Sequence, residues 1–296
     1  MFILISLVGE QPMPILLPGR YLRPEKHIFL HTDRTRPVAK RLQRLMDNVS
    51  LQSVDAYALE KTLSTLREII PQTDKLVINL TGGTKMMALA AFALASERSA
   101  EVAYFQSEEH ASRLHRYGFV NDQFLPLGKP EDLPELITIA DYLNAHLPGF
   151  RVEGASQSEG GPFEKAVADA LHDSGFEVMT GVRPEGVADQ IEIDLVIRYK
   201  NLVGIAEVKL GGGEAPQKGV DQLSTAGRRE YLGTYTRKFL IVARRQNNKI
   251  RQLAQESHVT LIELPNYRAR RSLSRRERCL LLQIIYRDLA GIRHRC

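Results

Sequence analysis

The sequence predicts an α/β protein with two domains, residues 1–150 and residues 151–296. Three observations lead to this prediction. Apolar runs alternate with amphipathic stretches in the first half, a stretch rich in Gly and Ser lies near the middle, and a second series of runs and stretches follows it. A chain of 296 residues also exceeds the usual size of one hydrophobic core, so each half is expected to bury its own.

The first half is expected to form a largely parallel sheet. Its apolar runs lie at 2–8, 27–30, 75–80 and 101–105, and the amphipathic stretches between them lie at 36–46, 57–70 and 85–98. Strands that alternate with helices of about 10 to 15 residues are typical of a parallel sheet with helices on both faces. We therefore expect a Rossmann-like domain, completed by an edge hairpin with strands at 110–117 and 119–125 and by a helix at 133–147.

The second half begins after a linker at 154–161, where Gly and Ser are frequent. The order of its predicted elements is a helix at 162–174, strands at 177–182, 191–199 and 202–210, a helix at 216–226, a strand at 238–243, a helix at 247–256 and a strand at 259–264. This order predicts a mixed α/β domain with its own sheet.

Composition and charge narrow the class of protein. The hydrophobic fraction of 43% and the charged fraction of 25% are those of a soluble protein, and no apolar run is long enough to span a membrane, so we expect a cytoplasmic protein. Its two cysteines, Cys279 and Cys296, predict neither a disulfide framework nor a zinc site. The second half carries 24 Lys and Arg against 18 Asp and Glu, an excess that indicates either a polyanionic partner or a solvated basic face.

Charged residues interrupt two neighbouring apolar strands of the second domain. If these strands form a hairpin that turns at Lys200-Asn201, Asp194 lies directly across from Glu207. Glu207 and Lys209 then share one face, because side chains two apart on a strand point the same way. Two facing carboxylates destabilise a sheet unless a cation lies between them, which predicts a site for Mg²⁺ or Mn²⁺.

Two helices are expected to complete this site. Glu164 borders the apolar stripe of the helix at 162–174, so its carboxylate can face the sheet. Gln222, on the helix at 216–226, follows the Lys209 strand and could orient a water molecule or a phosphate. A structural cluster of ion pairs on a solvated sheet face is the alternative interpretation of the same residues.

In the order helix, strand, strand, these residues resemble the signature of the PD-(D/E)xK nucleases, which have a restriction-endonuclease-like α/β fold. The resemblance covers residues 160–265 and implies that Asp194 and Glu207 bind the metal ion, with Glu164 supporting the ion or its water molecules. It also implies that Lys209 positions the attacking water and stabilises the scissile phosphate, with Gln222 auxiliary. The residue before Asp194 is isoleucine where that signature has proline.

Polar loops follow three predicted strands of the first domain. One of them runs directly into a helix, an arrangement in which glycine and free backbone amides suit a phosphate. Ligands collect at the carboxyl ends of parallel strands, so the three loops predict one pocket, although each loop could equally be turn or cap chemistry. The residues expected to line it are Gly9, Glu10, Gln11, Thr32, Thr81, Gly82, Gly83, Thr84 and Lys85.

The residues at 6–11 and 80–86 resemble the CRISPR-associated Rossmann fold, or CARF domain, over residues 1–125. The resemblance implies a homodimer that binds a cyclic oligoadenylate, most often cyclic tetra-adenylate, across its two-fold axis. A CARF domain joined to a PD-(D/E)xK domain resembles the ancillary nucleases of type III CRISPR systems, which cleave DNA or RNA and have no membrane partner. Two alternatives stay open: a constitutive restriction or repair nuclease with another effector, and a sensor that binds nucleic acid without cleaving it.

Overall fold

The computed structural model describes residues 2–72, 75–108, 110–186, 192–211, 214–228, 232–233 and 235–294. The chain divides into two compact units, Met1–Leu136 and Ile137–Cys296, which we call unit 1 and unit 2. Each unit has its own sheet flanked by helices, so the predicted α/β fold class is confirmed. Within the residues described, every helix is too short or too polar to cross a membrane.

Unit 1 alternates strands and helices over its first hundred residues. Its elements are β1 (Ile3–Leu7), α1 (Met13–Leu22), β2 (Lys26–His31), α2 (Arg36–Gln43), β3 (Val49–Ser53), α3 (Leu59–Ile69), β4 (Leu76–Asn79), α4 (Lys85–Glu97), β5 (Glu101–Glu108), β6 (Ala111–Val120), β7 (Gln123–Pro126) and β8 (Glu131–Asp132). The strand order is β3-β2-β1-β4-β5-β6-β7, with β8 paired to β6. Strands β1 to β5 pair in parallel, as predicted, and β6 joins them antiparallel.

The strand order of unit 1 reverses direction at β1. From β1 the chain moves outward to β2 and β3, then returns to the other side of β1 to form β4 and β5. Right-handed crossovers therefore place α1 and α2 on one face of the sheet and α3 and α4 on the other. The loops that leave β1 and β4 lie side by side at this reversal, which is where open parallel sheets have their binding crevices.

Three details of unit 1 differ from the prediction. Helix α1 was not predicted, because Pro14 and Pro18 make its sequence resemble a loop. Strand β3 was not predicted either, since its five residues are only half-buried at best and polar in alternation. The edge hairpin turns at Asn121 and Asp122, which adopt positive φ values of 48° and 61°, rather than at Gly118. Asn and Asp tolerate this left-handed backbone, so β6 continues through the glycine.

Unit 2 contains a mixed sheet. Its elements are α5 (Ile139–His146), β9 (Gly149–Val152), α6 (Gly161–His172), β10 (Glu177–Glu185), β11 (Ile193–Tyr199), β12 (Leu202–Lys209), α7 (Ala215–Ala226), β13 (Arg237–Val242), α8 (Asn248–Glu256), β14 (Thr260–Glu263), α9 (Tyr267–Arg270) and α10 (Arg275–Ile285), with a π-helical turn at Tyr286–Ala290. The order β14-β13-β12-β11-β10-β9 combines antiparallel pairing from β9 to β12 with parallel pairing from β12 to β14. Ile191, predicted to begin β11, and Gly212-Gly213 of the loop after β12 lie outside the described residues.

Helix α5 belongs to unit 2, so the division precedes the boundary predicted at 150/151. The helix begins later than predicted because Thr138 and Asp141 form a capping box that starts it at Ile139. It packs against β9, β10 and β11, and the buried hydroxyl of Tyr142 donates a hydrogen bond to the Leu232 carbonyl at 2.7 Å. These contacts attach α5 to the second sheet rather than to the linker.

The C-terminal tail packs on unit 2, as its apolar stripe predicts. Leu281, Leu282 and Ile285 of α10 are buried in the same cluster as Phe163 of α6. Cys279 is disulfide-bonded, whereas the sequence pattern indicated no disulfide framework. The spacing of cysteines in sequence does not determine which side chains the fold brings together. The other cysteine of the chain, Cys296, lies outside the described residues.

Candidate functional site

Strands β11 and β12 pair in the predicted register. Leu195 is opposite Ala206 and Tyr199 is opposite Leu202, which continues to the turn at Lys200-Asn201. The next position along the ladder would pair Asp194 with Glu207, and here the Asp194 Oδ2 atom accepts a hydrogen bond from the Val208 amide at 2.7 Å. The hairpin therefore ends at a carboxylate that is turned toward the neighbouring strand.

Lys209 joins the two strand carboxylates. Its Nζ atom lies 2.5 Å from Glu207 Oε2 and 3.3 Å from Asp194 Oδ2. The Glu207 side chain is 2% exposed, that of Asp194 is 15% exposed and that of Lys209 is 22% exposed. Three charges are thus gathered at the end of two strands with little access to water. Burial of charge is costly unless each group is paired, and the ammonium meets part of that requirement.

Helix α6 brings a third carboxylate to the same place. Gly161 allows the helix to begin close to the backbone of Ser156, since a Cβ atom at that position would lie 1.7 Å from the Ser156 carbonyl oxygen. Glu164 is buried, and its Oε2 atom accepts a hydrogen bond from the Ser156 amide at 3.2 Å. Its Oε1 atom has no hydrogen-bond partner among the described residues.

These residues line one cavity of about 380 Å³. Of the predicted catalytic residues, Glu164, Asp194, Lys209 and Gln222 all contribute to its wall. Glu207 is buried behind this wall and contacts Lys209, which forms part of it. The structure therefore brings the predicted residues together from α6, β11, β12 and α7, although these elements are separated along the chain.

The electrostatics of the cavity favour added positive charge. The pKa of Glu164 is raised to about 7, mainly by burial and then by the neighbouring charges of Asp194 and Glu192. Burial, followed by the charge of Asp194, raises the pKa of Glu207 to about 8. Burial lowers the pKa of Lys209, but Glu207 and Asp194 outweigh it, so the net shift is upward. Glu164 and Glu207 hold protons more tightly than usual because burial disfavours their charged forms, and the single ammonium of Lys209 does not offset this.

The donor set suits a divalent cation held partly by solvent. The free Oε1 atom of Glu164 and the carboxylates of Asp194 and Glu207 offer the oxygen ligands that Mg²⁺ and Mn²⁺ prefer. Among the described side chains, no three His, Cys, Asp or Glu residues stand close enough to hold an ion together. The three predicted ligands thus do not converge as a trio, and Lys209 Nζ lies between two of them. Mg²⁺ is commonly held by one or two carboxylates, with water and phosphate completing its shell, and this arrangement fits.

The cavity wall also contains polar residues that were not predicted as site residues from the sequence. Glu192 lines it together with Ser156 and Ser158. Glu192 also pairs with Arg183, with 2.7 Å between the side chains. The signal for Glu192 was present, because it is two residues before Asp194 and shares its face in an extended segment. The two serines belong to the stretch interpreted as a linker, and only the approach of that stretch to α6 reveals their position.

The loops after β1 and β4, which we call the glycine loops, meet where the strand order of unit 1 reverses direction. A Cβ atom on Gly82 would lie 2.0 Å from the Leu7 carbonyl oxygen, and one on Gly9 would lie 3.3 Å from the Gly83 amide nitrogen. Gly83 has a φ of 73°, a conformation that favours glycine. The loops after β1 and β4 are therefore packed backbone to backbone, which only glycine permits.

The threonines of these loops make internal hydrogen bonds. The Thr81 hydroxyl donates to Asn79 Oδ1 at 2.6 Å and accepts from the Phe105 amide at 2.7 Å. The Thr84 hydroxyl caps α4 by accepting from the Met87 amide at 3.2 Å, and it donates to the Ala56 carbonyl. Both side chains thus hold the shape of the loop, and its backbone is the part left to face a ligand.

The other predicted ligand residues lie at the same sheet edge. Glu10 forms an ion pair with Arg34, which connects the loop after β1 to the loop after β2. Thr32 accepts a hydrogen bond from the Thr35 amide at 3.4 Å, a cap-like contact that was the alternative to ligand binding. Lys85 is exposed at the first position of α4. Gln11 is half-buried in the loop before α1.

The chain is similar to a known protein family and to several solved structures. A family model for the Card1 CARF domain matches residues 3–142. Can2 from Sulfobacillus thermosulfidooxidans, solved in complex with cyclic tetra-adenylate, superposes with a TM-score of 0.74 at 16% identity and covers 92% of this chain and 98% of its own. Protein VC1899 from Vibrio cholerae superposes with a TM-score of 0.72 at 13% identity and covers 99% of both chains.

The match to a third solved structure extends over a smaller part of that protein's chain. A type III CRISPR defence DNA nuclease activated by cyclic oligoadenylate has a TM-score of 0.61 at 17% identity over 83% of this chain and 46% of its own. No curated protein matches the sequence. Residues 3–142 therefore match the Card1 CARF domain, and the fold of the chain resembles those of Can2 and of the type III CRISPR defence DNA nuclease.

Proposed function

We propose that this protein is a metal-dependent nuclease of type III CRISPR defence, activated by a cyclic oligoadenylate and acting on DNA or RNA. The observation that carries the proposal is the meeting of Asp194, Glu207 and Lys209 at the end of one hairpin, beside the buried Glu164. The CARF domain of unit 1 and the fold shared with a nuclease activated by cyclic oligoadenylate support it.

The residues of the cavity have distinct roles in phosphodiester cleavage. Lys209 carries the positive charge that neutralises charge developing on the scissile phosphate. Glu207 and Asp194 hold the Lys209 ammonium in place through their ion pairs. Gln222 supplies an amide that orients water or a phosphate oxygen from the opposite wall. A divalent ion held by Asp194 and Glu207, with Glu164 on its water shell, would polarise the phosphate and acidify the attacking water.

The glycine loops of unit 1 are the proposed site of the activator. Packed glycines leave backbone amides open at the beginning of α4, where the helix dipole and Lys85 both attract phosphate. Can2 is bound to cyclic tetra-adenylate, so this ring is the first activator to test. A ring of identical adenylates presents equivalent groups to two copies of the same loop, which suits a homodimer.

Cleavage assays with and without activator test the proposal. The full chain is incubated with labelled DNA and RNA in Mn²⁺, with cyclic tri-, tetra- or hexa-adenylate or with none. Cleavage should rise with one ring, stop on addition of EDTA and disappear in Asp194→Asn. The matched control is Asp173→Asn, because Asp173 is an exposed carboxylate on the same unit.

Each alternative function predicts a different result. Cleavage that is unchanged by every ring indicates a constitutive nuclease with another effector. Binding of nucleic acid without cleavage in Mn²⁺ indicates a non-cleaving sensor. Full activity in Asp194→Asn contradicts the assigned site itself.

A further inference from the structure

Tyr57 is an exposed aromatic residue at the proposed ligand edge of unit 1. It lies in the loop that follows β3, and 79% of its surface is exposed. Strand β3 is parallel to β2, and β2 is parallel to β1, so this loop leaves the sheet at the same edge as the glycine loops. Exposure of so large a fraction of an aromatic side chain gives up the free energy of its burial.

Hydrogen bonds hold the backbone around Tyr57 in place, whereas its side chain is exposed to solvent. The Asp55 carboxylate accepts a hydrogen bond from the Tyr57 amide at 2.9 Å, and the Thr62 hydroxyl donates to the Asp55 carbonyl at 3.3 Å. The Ala56 carbonyl accepts from the hydroxyl of Thr84. The loop is therefore pinned both to α3 and to the residue that caps α4, and the phenol ring projects from a rigid base.

The pinning to Thr84 places Tyr57 beside an anion site. Thr84 caps α4, whose amides and dipole attract phosphate, and Ala56 is the direct neighbour of Tyr57. A nucleotide whose phosphate meets the beginning of α4 has its base within reach of the loop. Every base has a flat π-face that aromatic side chains bind by stacking, with no hydrogen-bond code required.

We propose that Tyr57 stacks against an adenine base of the bound cyclic oligoadenylate. This inference rests on the proposed function, because it names a residue that recognises the proposed activator. In a homodimer both copies of Tyr57 would contact equivalent adenines of the ring.

The absence of tryptophan from the chain allows a direct test. Tyr57→Trp introduces a single indole, whose emission should be quenched in a saturable way when cyclic tetra-adenylate is added to the full chain. Phe124→Trp is the matched control, because Phe124 is a partly exposed aromatic residue on β7, which pairs with the end of β6 remote from the glycine loops. Its emission should not change.

Calorimetry with cyclic tetra-, tri- and hexa-adenylate then measures affinity. Binding of the ring accepted by the wild-type protein should weaken by about 5- to 100-fold in Tyr57→Ala, the value of one lost stacking contact, and persist in Tyr57→Phe. Thermal unfolding should be nearly the same for all three proteins, since 79% of the Tyr57 surface is exposed and truncation of its ring removes little buried area.

Three outcomes would overturn the inference. If the wild-type protein binds the ring and Tyr57→Ala binds it equally well, the inference fails while the proposed function stands. If the indole emission of the Tyr57→Trp variant changes on dilution of the protein without ligand, the residue lies between copies of the chain instead. If the wild-type protein binds none of the three rings, the activator named under the proposed function is wrong and the inference fails with it.

Discussion

The two units bury polar side chains in different ways. In unit 1 the buried groups are neutral and joined in a chain: Ser6 Oγ lies 2.8 Å from His27 Nε2, and Asn79 Nδ2 donates to the Pro14 carbonyl at 2.8 Å. Asn79 then accepts from Thr81 in the glycine loop. A neutral hydrogen-bonded network costs less to bury than unpaired charge, and it favours one arrangement of the backbone. Unit 1 therefore uses its buried polar groups to fix the shape of a loop.

In unit 2 the buried groups around the cavity are charged, and their charges are only partly neutralised. Glu164 and Glu207 have raised pKa values, and only Lys209 supplies positive charge between Glu207 and Asp194. Such a cluster is stable only because the surrounding core compensates for it. The two units thus use buried polar groups differently: neutral hydrogen bonds fix the loops proposed to bind the activator, and incompletely neutralised charge lies at the site proposed for phosphodiester cleavage. The following predictions test that contrast.

The largest effect should follow from removal of the cavity ammonium. Lys209→Met leaves Asp194 and Glu207 facing each other and removes the charge that meets the phosphate. We expect activated cleavage to fall by about 10²- to 10³-fold, as when one preorganised donor is lost from a transition state. Initial rates on labelled substrate measure it. The control is Lys165→Met, which removes an exposed lysine of an ion pair on α6 and should leave the rate unchanged. An equal loss of rate in this control would mean that the effect of Lys209→Met is not specific to the cavity.

A methyl group in the glycine loop should have the next largest effect. A Cβ atom on residue 82 meets the Leu7 carbonyl oxygen, so Gly82→Ala forces the two loops apart and should cost about 3 kcal/mol of unfolding free energy. Gly9→Ala, with its contact at 3.3 Å, is the matched control and should cost less. Calorimetric unfolding of both variants measures the two losses of unfolding free energy. Equal stability of the two variants would mean that the loops move apart at little cost, so their close packing does not contribute to the stability of unit 1.

The neutral network of unit 1 should make stability depend on pH. Burial lowers the pKa of His27 from 6.5 to about 3, so the folded state holds this ring uncharged. Its contribution is fully present above pH 6.5 and is lost as the pH falls from 6.5 toward 3. At pH 5 the loss should be about 2 kcal/mol.

Comparison of variants isolates this contribution from that of other acids. Unfolding free energies are measured at pH 7 and pH 5 for the wild-type protein, for His27→Gln and for the exposed His172→Gln. The unfolding free energy of the wild-type protein and of His27→Gln should fall between pH 7 and pH 5, but the fall should be smaller in His27→Gln by the His27 contribution. His172→Gln should behave like the wild-type protein. If the unfolding free energy of His27→Gln falls as much as that of the wild-type protein, the pKa of His27 is not lowered in the folded state.

The smallest effect should come from the basic tail. Arg275 and Arg276 are exposed at the beginning of α10, and we propose that they contact nucleic-acid phosphates. Their joint replacement by alanine should weaken binding a few-fold and reduce the slope of log affinity against log salt by about 2. Anisotropy titrations at several salt concentrations measure both. The double replacement of Arg36 and Lys40 on α2 removes the same charge from unit 1, and an equal effect there would mean that net charge alone matters.

Much of the fold could be predicted because its signals are local. The alternation of strands and helices, the caps of α4 and α8 and the turn at Lys200-Asn201 are each set by residues close in sequence. The register of β11 and β12 follows from that turn, so the approach of Asp194 to Glu207 could be predicted as well. Helix α1 and the placement of α5 could not, because prolines hide the first and long-range packing decides the second.

The sequence by itself determined which side chains bear charge, which strands they occupy and which face of each strand they share, since these depend on composition and on a repeat of two residues. Only the tertiary structure decided that the Ser156 segment closes on α6, that Glu192 lines the cavity and that Lys209 lies between two carboxylates. The reason is physical. Those contacts join elements distant along the chain, and their distances depend on how helices pack against a sheet, which no local pattern encodes.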